Sequence, residues 1–269
     1  MDKRVIARII CLLIALASFA YIAFYYYQKN HSDEKTSELA QKGGYDFSND
    51  SEPVVIESKI EDKVSGSTSV KKLFVLKQYR SLYKKNPNFA GWITIDGTSI
   101  DYPVMKSRTG NGEYYLNHNF SQEEDRNGTL FMDDDCDIVK PSENWIIYGH
   151  NMKSGNMFGT LDNYKSESFC KEHKYIKFDT IYETGVYQVM FAFQSHVYTE
   201  AEIAFKYYQF IDPASEAEFN SGMQQMRDAS YYDTGVDAVY GDRLLILSTC
   251  DYDESNGRFV VVAVKKDDL

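Results

Sequence analysis

Apolar and polar positions divide this 269-residue chain into regions of different period. Ile9 to Tyr27 has no period at all: it is an unbroken, uncharged and mostly apolar run. As a helix it would rise roughly 28 Å, close to one bilayer hydrocarbon core. Lys3, Arg4 and Arg8 precede it. By the positive-inside rule they hold residues 1–8 in the cytoplasm and send the rest of the chain outward. Tyr25, Tyr26 and Tyr27 fit an interfacial aromatic belt. Small residues around Ala15 to Ala17 also resemble a signal-peptide cleavage site. A cleaved leader is therefore the alternative, but the apolar run continues well past Ala17, which favours a retained anchor over 9–27. Residues 28–70 are polar, poor in aromatics and interrupted by Gly43-Gly44 and SGSTS. Apart from the short PVVIES, that composition predicts a linker rather than a packed element.

A periodic pattern begins near Lys71 and marks 71–269 as the folded domain. Val75, Tyr79 and Leu82 recur at helical spacing until Asn86-Pro87 ends the pattern. GWITIDGTSIDYPVM then reads as two strands joined at Asp96-Gly97. Gly128 to Asp133, Asn144 to His150, Tyr175 to Asp179 and Val186 to His196 are further strand candidates, the last alternating over its length. One helix interrupts them: Asp212-Pro213 predicts an N-cap followed by an N1 proline, and Phe219, Met223 and Met226 repeat behind it. The final stretch, RLLILSTCDYDESNGRFVVVAV, predicts two buried strands around an Asn256-Gly257 turn. About eight short strands, few helices and no internal repeat point to a closed or nearly closed β-barrel.

Composition narrows the function classes. Hydrophobic residues at 43% and aromatics at 15% suffice for a core, and a formal net charge of −11 argues against nucleic acid, which demands basic patches. The four cysteines, Cys11, Cys136, Cys170 and Cys250, include no CxxC pair, and no HxH or HExxH spacing occurs. Neither a metal site nor a cofactor is expected. With Cys11 in the apolar segment, three cysteines remain. An odd number leaves at least one free thiol, whether or not Cys136 pairs with Cys170.

The final hairpin suggests which thiol matters. Cys250 ends its first strand and Arg258 opens its second, so the two face each other across the ladder. Such a thiol is either a small buried hydrophobe or a nucleophile with an electrostatic partner. His150 ends another strand, WIIYGH, and opens onto a Gly/Ser-containing loop. His31 lies in the linker, and His118, His173 and His196 have no evident partner in sequence. Together His150, Cys250 and Arg258 can supply acyl transfer: a thiolate nucleophile, an imidazolium proton donor and a guanidinium facing the oxyanion. Thr249 can position substrate or the arginine, or cap the strand. Asp251 can meet substrate, although a carboxylate there would raise the thiol's pKa.

These motifs resemble those of the sortases, and of class B in particular. LSTC at Leu247 to Cys250 with Arg258 resembles their catalytic hairpin, and YGHN at Tyr148 to Asn151 their histidine motif. NPNFAGWITIDGTSIDYPVM, YYLNHNF, NGTLFMD and NMFGTLDNY extend the likeness across 71–264 in order. The resemblance implies a mostly β, eight-stranded sortase-type β-barrel with an N-terminal helical addition. It places a helix between the sixth and seventh strands and one transmembrane helix ahead of the domain. It implies a cysteine transpeptidase on the outer face of a Gram-positive cell membrane. Such an enzyme cleaves an NPxTx-like or LPxTG-like sorting motif near the C-terminus of an exported surface protein. It holds that protein as a thioester on Cys250 and passes it to an amine of a cell-wall precursor or peptidoglycan cross-bridge. By the same resemblance Leu116 lines the substrate groove, Asn111 lies one position from a groove asparagine, and Ser248 and Asp251 flank the cysteine and meet the peptide. Val197 to Phe210 departs from the family pattern in a groove wall. The alternatives are a pilus polymerase using a pilin lysine, an anchored cysteine peptidase releasing product to water, and a binding barrel with an inert Cys250.

Overall fold

The computed structural model describes residues 3–43, 52–61, 68–199, 202, 204–250 and 256–266. A long helix, α1 (Lys3–Gly43), opens the chain. Its Lys3–Tyr27 part is long and apolar enough to cross a membrane, with a mean hydropathy of 2.4, and none of it is buried in the protein.

Two strands follow inside and beyond the stretch read as a linker. β1 (Val55–Glu61) and β2 (Thr68–Phe74) form an antiparallel hairpin outside the barrel, with Ile56 opposite Leu73. Within 28–70, β1 includes most of the PVVIES excepted from the expected linker, and β2 begins at Thr68, so the strand-forming part extends beyond that segment. Lys72 and Glu57, also cross-strand partners, form an ion pair at 3.3 Å. A single 3₁₀ turn (Lys77–Tyr79) leads into α2 (Arg80–Lys85). A helix of six residues has no stability of its own in water. Here Val75, Tyr79 and Leu82 are buried with Phe89, Trp92, Met105 and Phe131, and each such burial contributes roughly 1.5–3 kcal/mol. The predicted helical spacing therefore describes a real apolar face packed on the barrel wall.

The barrel strands are β3 (Phe89–Thr94), β4 (Asp101–Met105), β5 (Leu130–Met132), β6 (Asn144–Gly149), β7 (Tyr175–Thr180), β8 (Val186–His196), β9 (Leu244–Cys250) and β10 (Gly257–Lys266). They close in the order β10-β8-β7-β3-β4-β5-β6-β9. Two neighbouring pairs are parallel, β4 with β5 and β6 with β9; the rest are antiparallel. Leu244 to Leu247 and Phe259 to Val264 are buried on both faces, which explains why they read as continuous apolar runs rather than alternations.

Between β6 and β7 lie a 3₁₀ helix (Leu161–Lys165) and α3 (Glu167–Glu172). α4 (Glu216–Ala229) lies between β8 and β9, the sixth and seventh barrel strands, as expected. Its buried face is Phe219, Met223 and Met226, but its cap is Ser215, whose hydroxyl accepts from the Glu218 amide. The predicted cap at Asp212-Pro213 is corrected by three residues. The Asp212 carboxylate accepts instead from the Glu143 amide at 2.8 Å, so a tertiary contact takes the group that would have capped the helix.

Candidate active site

Parallel pairing of β6 with β9 decides where the site can form. Gly149 is in register with Thr249, so the two strands leave the barrel at the same rim. His150 is the next residue out along one strand, and Cys250 ends the other. On the opposite side of β9, Arg258 pairs directly with Cys250, and across β10 it pairs with Ser195. The register therefore sets the Cys250 and Arg258 backbones opposite each other, as the hairpin reading expected. Asn256, ahead of β10, takes a left-handed φ of 59°, the conformation its turn propensity suggested.

The residue before the histidine is glycine for a packing reason. A Cβ on Gly149 would lie 2.3 Å from Leu130 Cδ2 and 2.8 Å from Phe158 Cδ2. With no side chain there, β6 reaches the rim without displacement. The His150 ring is half-buried, and its Nε2 lies 2.8 Å from the Leu116 carbonyl oxygen. A carbonyl only accepts, so Nε2 carries the proton and Nδ1 is left to exchange one. Leu116 ends a 3₁₀ turn (Tyr114–Leu116) that is itself held from behind. Gly128, at φ 58°, packs so closely that a Cβ would fall 2.4 Å from the same Leu116 oxygen, and Thr129 N donates to Tyr115 O at 2.9 Å.

Three polar contacts fix the Cys250 strand. The Thr249 hydroxyl donates to Gly149 O at 2.8 Å. The Ser248 and Tyr207 hydroxyls lie 2.7 Å apart. The Asn151 amide nitrogen donates to Cys250 O and to Asp162 Oδ2, both at 2.9 Å. Ser248 and Thr249, expected to meet substrate, are both buried and spend their hydroxyls on these contacts. Asn111 is exposed ahead of the Tyr114–Leu116 turn, where its carbonyl accepts from Tyr114 N at 3.1 Å. Asp251 lies outside the described residues. The Arg258 guanidinium is half-exposed, and its Nη1 donates to Gly257 O at 2.9 Å and Asn256 O at 3.4 Å. A planar group with five donors can make those contacts from one nitrogen and still present the others to an oxyanion.

Burial separates the cysteines. All four are free thiols, which leaves no Cys136–Cys170 bridge. Burial pushes the Cys136 thiol up to about 12, and Cys170 is raised for the same reason. Both are held as inert thiols at neutral pH. Cys250 is partly exposed at the rim. Tyr207 is pushed up to about 12 by burial, against the lowering effects of its Ser248 contact and of Arg258. Tyr148 lies far above its usual range, first through burial and then through Asp133, to which its hydroxyl donates at 2.8 Å. Among the described residues no group of three or more His, Cys, Asp or Glu side chains is placed to hold a metal ion.

Sequence reasoning missed Tyr207, Asn151 and Asp162. Tyr207 is one of 22 tyrosines and sits in the segment that departs from the family pattern. Asn151 is visible beside His150, but its role depends on which strand ends alongside. Asp162 lies within NMFGTLDNY, but nothing in that motif singles it out.

A sortase-domain family model matches residues 93–266. Sortase B of Staphylococcus aureus is 33% identical over 212 residues, covering 76% of this chain and 81% of that protein. Sortase B of Listeria monocytogenes is 33% identical over 189 residues, covering 68% and 72%. Among solved structures, a Staphylococcus aureus sortase B–substrate complex superposes with a TM-score of 0.71 at 27% identity, covering 90% of this chain and 100% of that one. Sortase B from B. anthracis in complex with AAEK1 gives 0.69 at 28% identity, covering 89% and 98%. The barrel, its motifs and these likenesses agree, and the chain belongs to the sortase family, in class B.

Proposed function

We propose that this protein is a membrane-anchored cysteine transpeptidase that joins exported proteins to a cell-wall amine. The observation that carries the reading is the strand-end arrangement. Cys250 stands in register with Arg258 on one side, and the strand bearing His150 leaves the barrel beside it on the other. The Cys250 thiolate attacks the scissile carbonyl of an NPxTx-like or LPxTG-like sorting motif. Arg258 donates to the oxygen as it gains charge. His150, protonated on both nitrogens, gives a proton to the leaving amine as the C–N bond breaks. The acyl group remains as a thioester on Cys250. An incoming amine then attacks that carbonyl, passes its proton to His150 and releases the thiolate.

Leu116 flanks His150 directly, which supports a groove running past the imidazole to the thiol. The similar structures include a sortase B–substrate complex and a sortase B complexed with triglycine, which supports a peptide donor and an amine acceptor here. Lys3–Tyr27 supports a single-pass anchor with residues 1–8 cytoplasmic and the barrel outside.

The test is mass spectrometry of the full chain in mild detergent, mixed with a panel of sorting-motif peptides with and without triglycine. The expected result is an acyl adduct on Cys250 that converts to an amine-linked product. Hydrolysis alone at saturating amine would replace the transpeptidase with a peptidase, and an unreactive, unlabelled Cys250 would overturn the reading.

A further inference from the structure

The β6–β9 ladder stops one step short of the chemistry. Its last paired residues are Gly149 and Thr249, so His150 and Cys250 are not held together by that ladder. At this point the structure substitutes a side chain. Asn151 is buried, and its amide nitrogen donates to the carbonyl oxygen of Cys250 and to Oδ2 of Asp162, each at 2.9 Å. Both partners are acceptors, which fixes the NH₂ end of the amide toward them. Asp162 belongs to the Leu161–Lys165 3₁₀ helix, whose Leu161 and Tyr164 are buried in the core. The anchor behind the amide is therefore rigid. The His150 carbonyl accepts from Phe158 N at 3.0 Å, so the same loop is pinned on its other side.

We infer that Asn151 is a positioning residue: with Asp162 it clamps the Cys250 carbonyl and thereby sets the separation of thiol and imidazole. The Asn151 amide meets the Cys250 carbonyl rather than its thiol. It acts because His150 is its chain neighbour and Cys250 O is its hydrogen-bond partner. A displacement of about 1 Å at a reacting centre costs on the order of 100-fold in rate. A clamp at the open end of a ladder acts on displacements of that size. Among the described residues, the charged or titratable groups around the thiol include His150 on the β6 side, Arg258 across the β9–β10 ladder, Tyr207 behind Ser248, and Asp162 behind the clamp.

This inference rests on the transpeptidase reading for its kinetic half but not for its chemical half. Alkylation by iodoacetamide reads the setting of the Cys250 thiol without any peptide. The experiment compares full-length protein with Asn151→Ala and Asp162→Asn, using peptide mapping to follow Cys250 alone across pH. Acylation kinetics with a cleaved peptide and thermal unfolding are measured in parallel. In Asn151→Ala the alkylation profile of Cys250 departs from that of the wild type, and kcat for acylation falls about 10- to 100-fold with KM within about twofold. Asp162→Asn, which keeps the volume but removes the anionic anchor, shifts both in the same direction by less. Unchanged alkylation profiles and kcat in a folded Asn151→Ala overturn the inference. If that variant does not fold, an unchanged profile and kcat in Asp162→Asn overturn it equally. If no peptide acylates the wild type, the alkylation profiles alone decide the clamp.

Discussion

Tyr207 and Ser248 offer a quantitative test of how the catalytic strand is held. Both side chains are buried, and their hydroxyls lie 2.7 Å apart, two residues upstream of Cys250. Changing Tyr207→Phe keeps the ring and its edge contact with Phe193 but strands the Ser248 hydroxyl without water. The lost bond and the desolvated orphan together cost about 1–3 kcal/mol. Ser248→Ala strands the Tyr207 hydroxyl at a similar cost. The double variant removes both polar groups at once, leaving only a small void, so it should be nearly as stable as wild type and more stable than either single variant. For a barrel of this size, 1 kcal/mol moves Tm by about 2–4 °C. Urea unfolding in mild detergent can be followed by tryptophan emission, since Trp92 in β3 and Trp145 in β6 are the only two tryptophans. If the double variant loses the sum of the single losses, the two hydroxyls are not coupled and the reasoning fails.

Gly149→Ala should destabilise the barrel by about 1–3 kcal/mol and lower turnover, because the new methyl group meets Leu130 and Phe158 directly beneath His150; wild-type Tm and turnover would refute the packing argument. Arg258→Lys keeps the charge but loses the planar fork, so acylation kcat should fall about 100-fold at unchanged Tm, and near-normal turnover would remove Arg258 from oxyanion stabilisation. The alkaline limit follows from the tyrosines. Tyr207 is raised to about 12, and Tyr148, Tyr164 and Tyr187 are raised further by burial, while in the unfolded chain all four ionise near 10. Above that pH the unfolded state binds fewer protons, so stability is intact below about pH 10 and falls as pH rises through the folded values. Tyrosinate absorbance rising together with loss of far-ultraviolet circular dichroism would bear this out. Ionisation near 10 in a fully folded protein would count against it.

The barrel strands were legible because runs such as Leu244–Leu247 and Phe259–Val264 are too short and too β-branched for helices and are bounded by turn residues. The Cys250–Arg258 facing was legible for the same reason, since a hairpin turn sets register locally. What escaped depended on distant partners. The β1–β2 hairpin is rich in Ser, Lys and Glu, and its apolar pair, Ile56 with Leu73, is visible only once the two strands are aligned. The α4 cap moved because Glu143, far away in sequence, claimed the Asp212 carboxylate. The clamp at Asn151 required knowing that β6 and β9 run parallel and adjacent, which no local pattern encodes. Tyr207 resembled every other tyrosine until Ser248 was placed against it.

The parallel neighbours β6 and β9 also set the order in which activity can appear. Thr249 and Gly149 are bonded across 100 positions of chain. β7, β8 and α4 all lie between them in the sequence. Closing a loop over such a span costs entropy before any contact rewards it. Until β9 docks beside β6, His150 and Cys250 are two separate side chains. On the proposed mechanism, turnover therefore reports a barrel in which β6 and β9 are already paired.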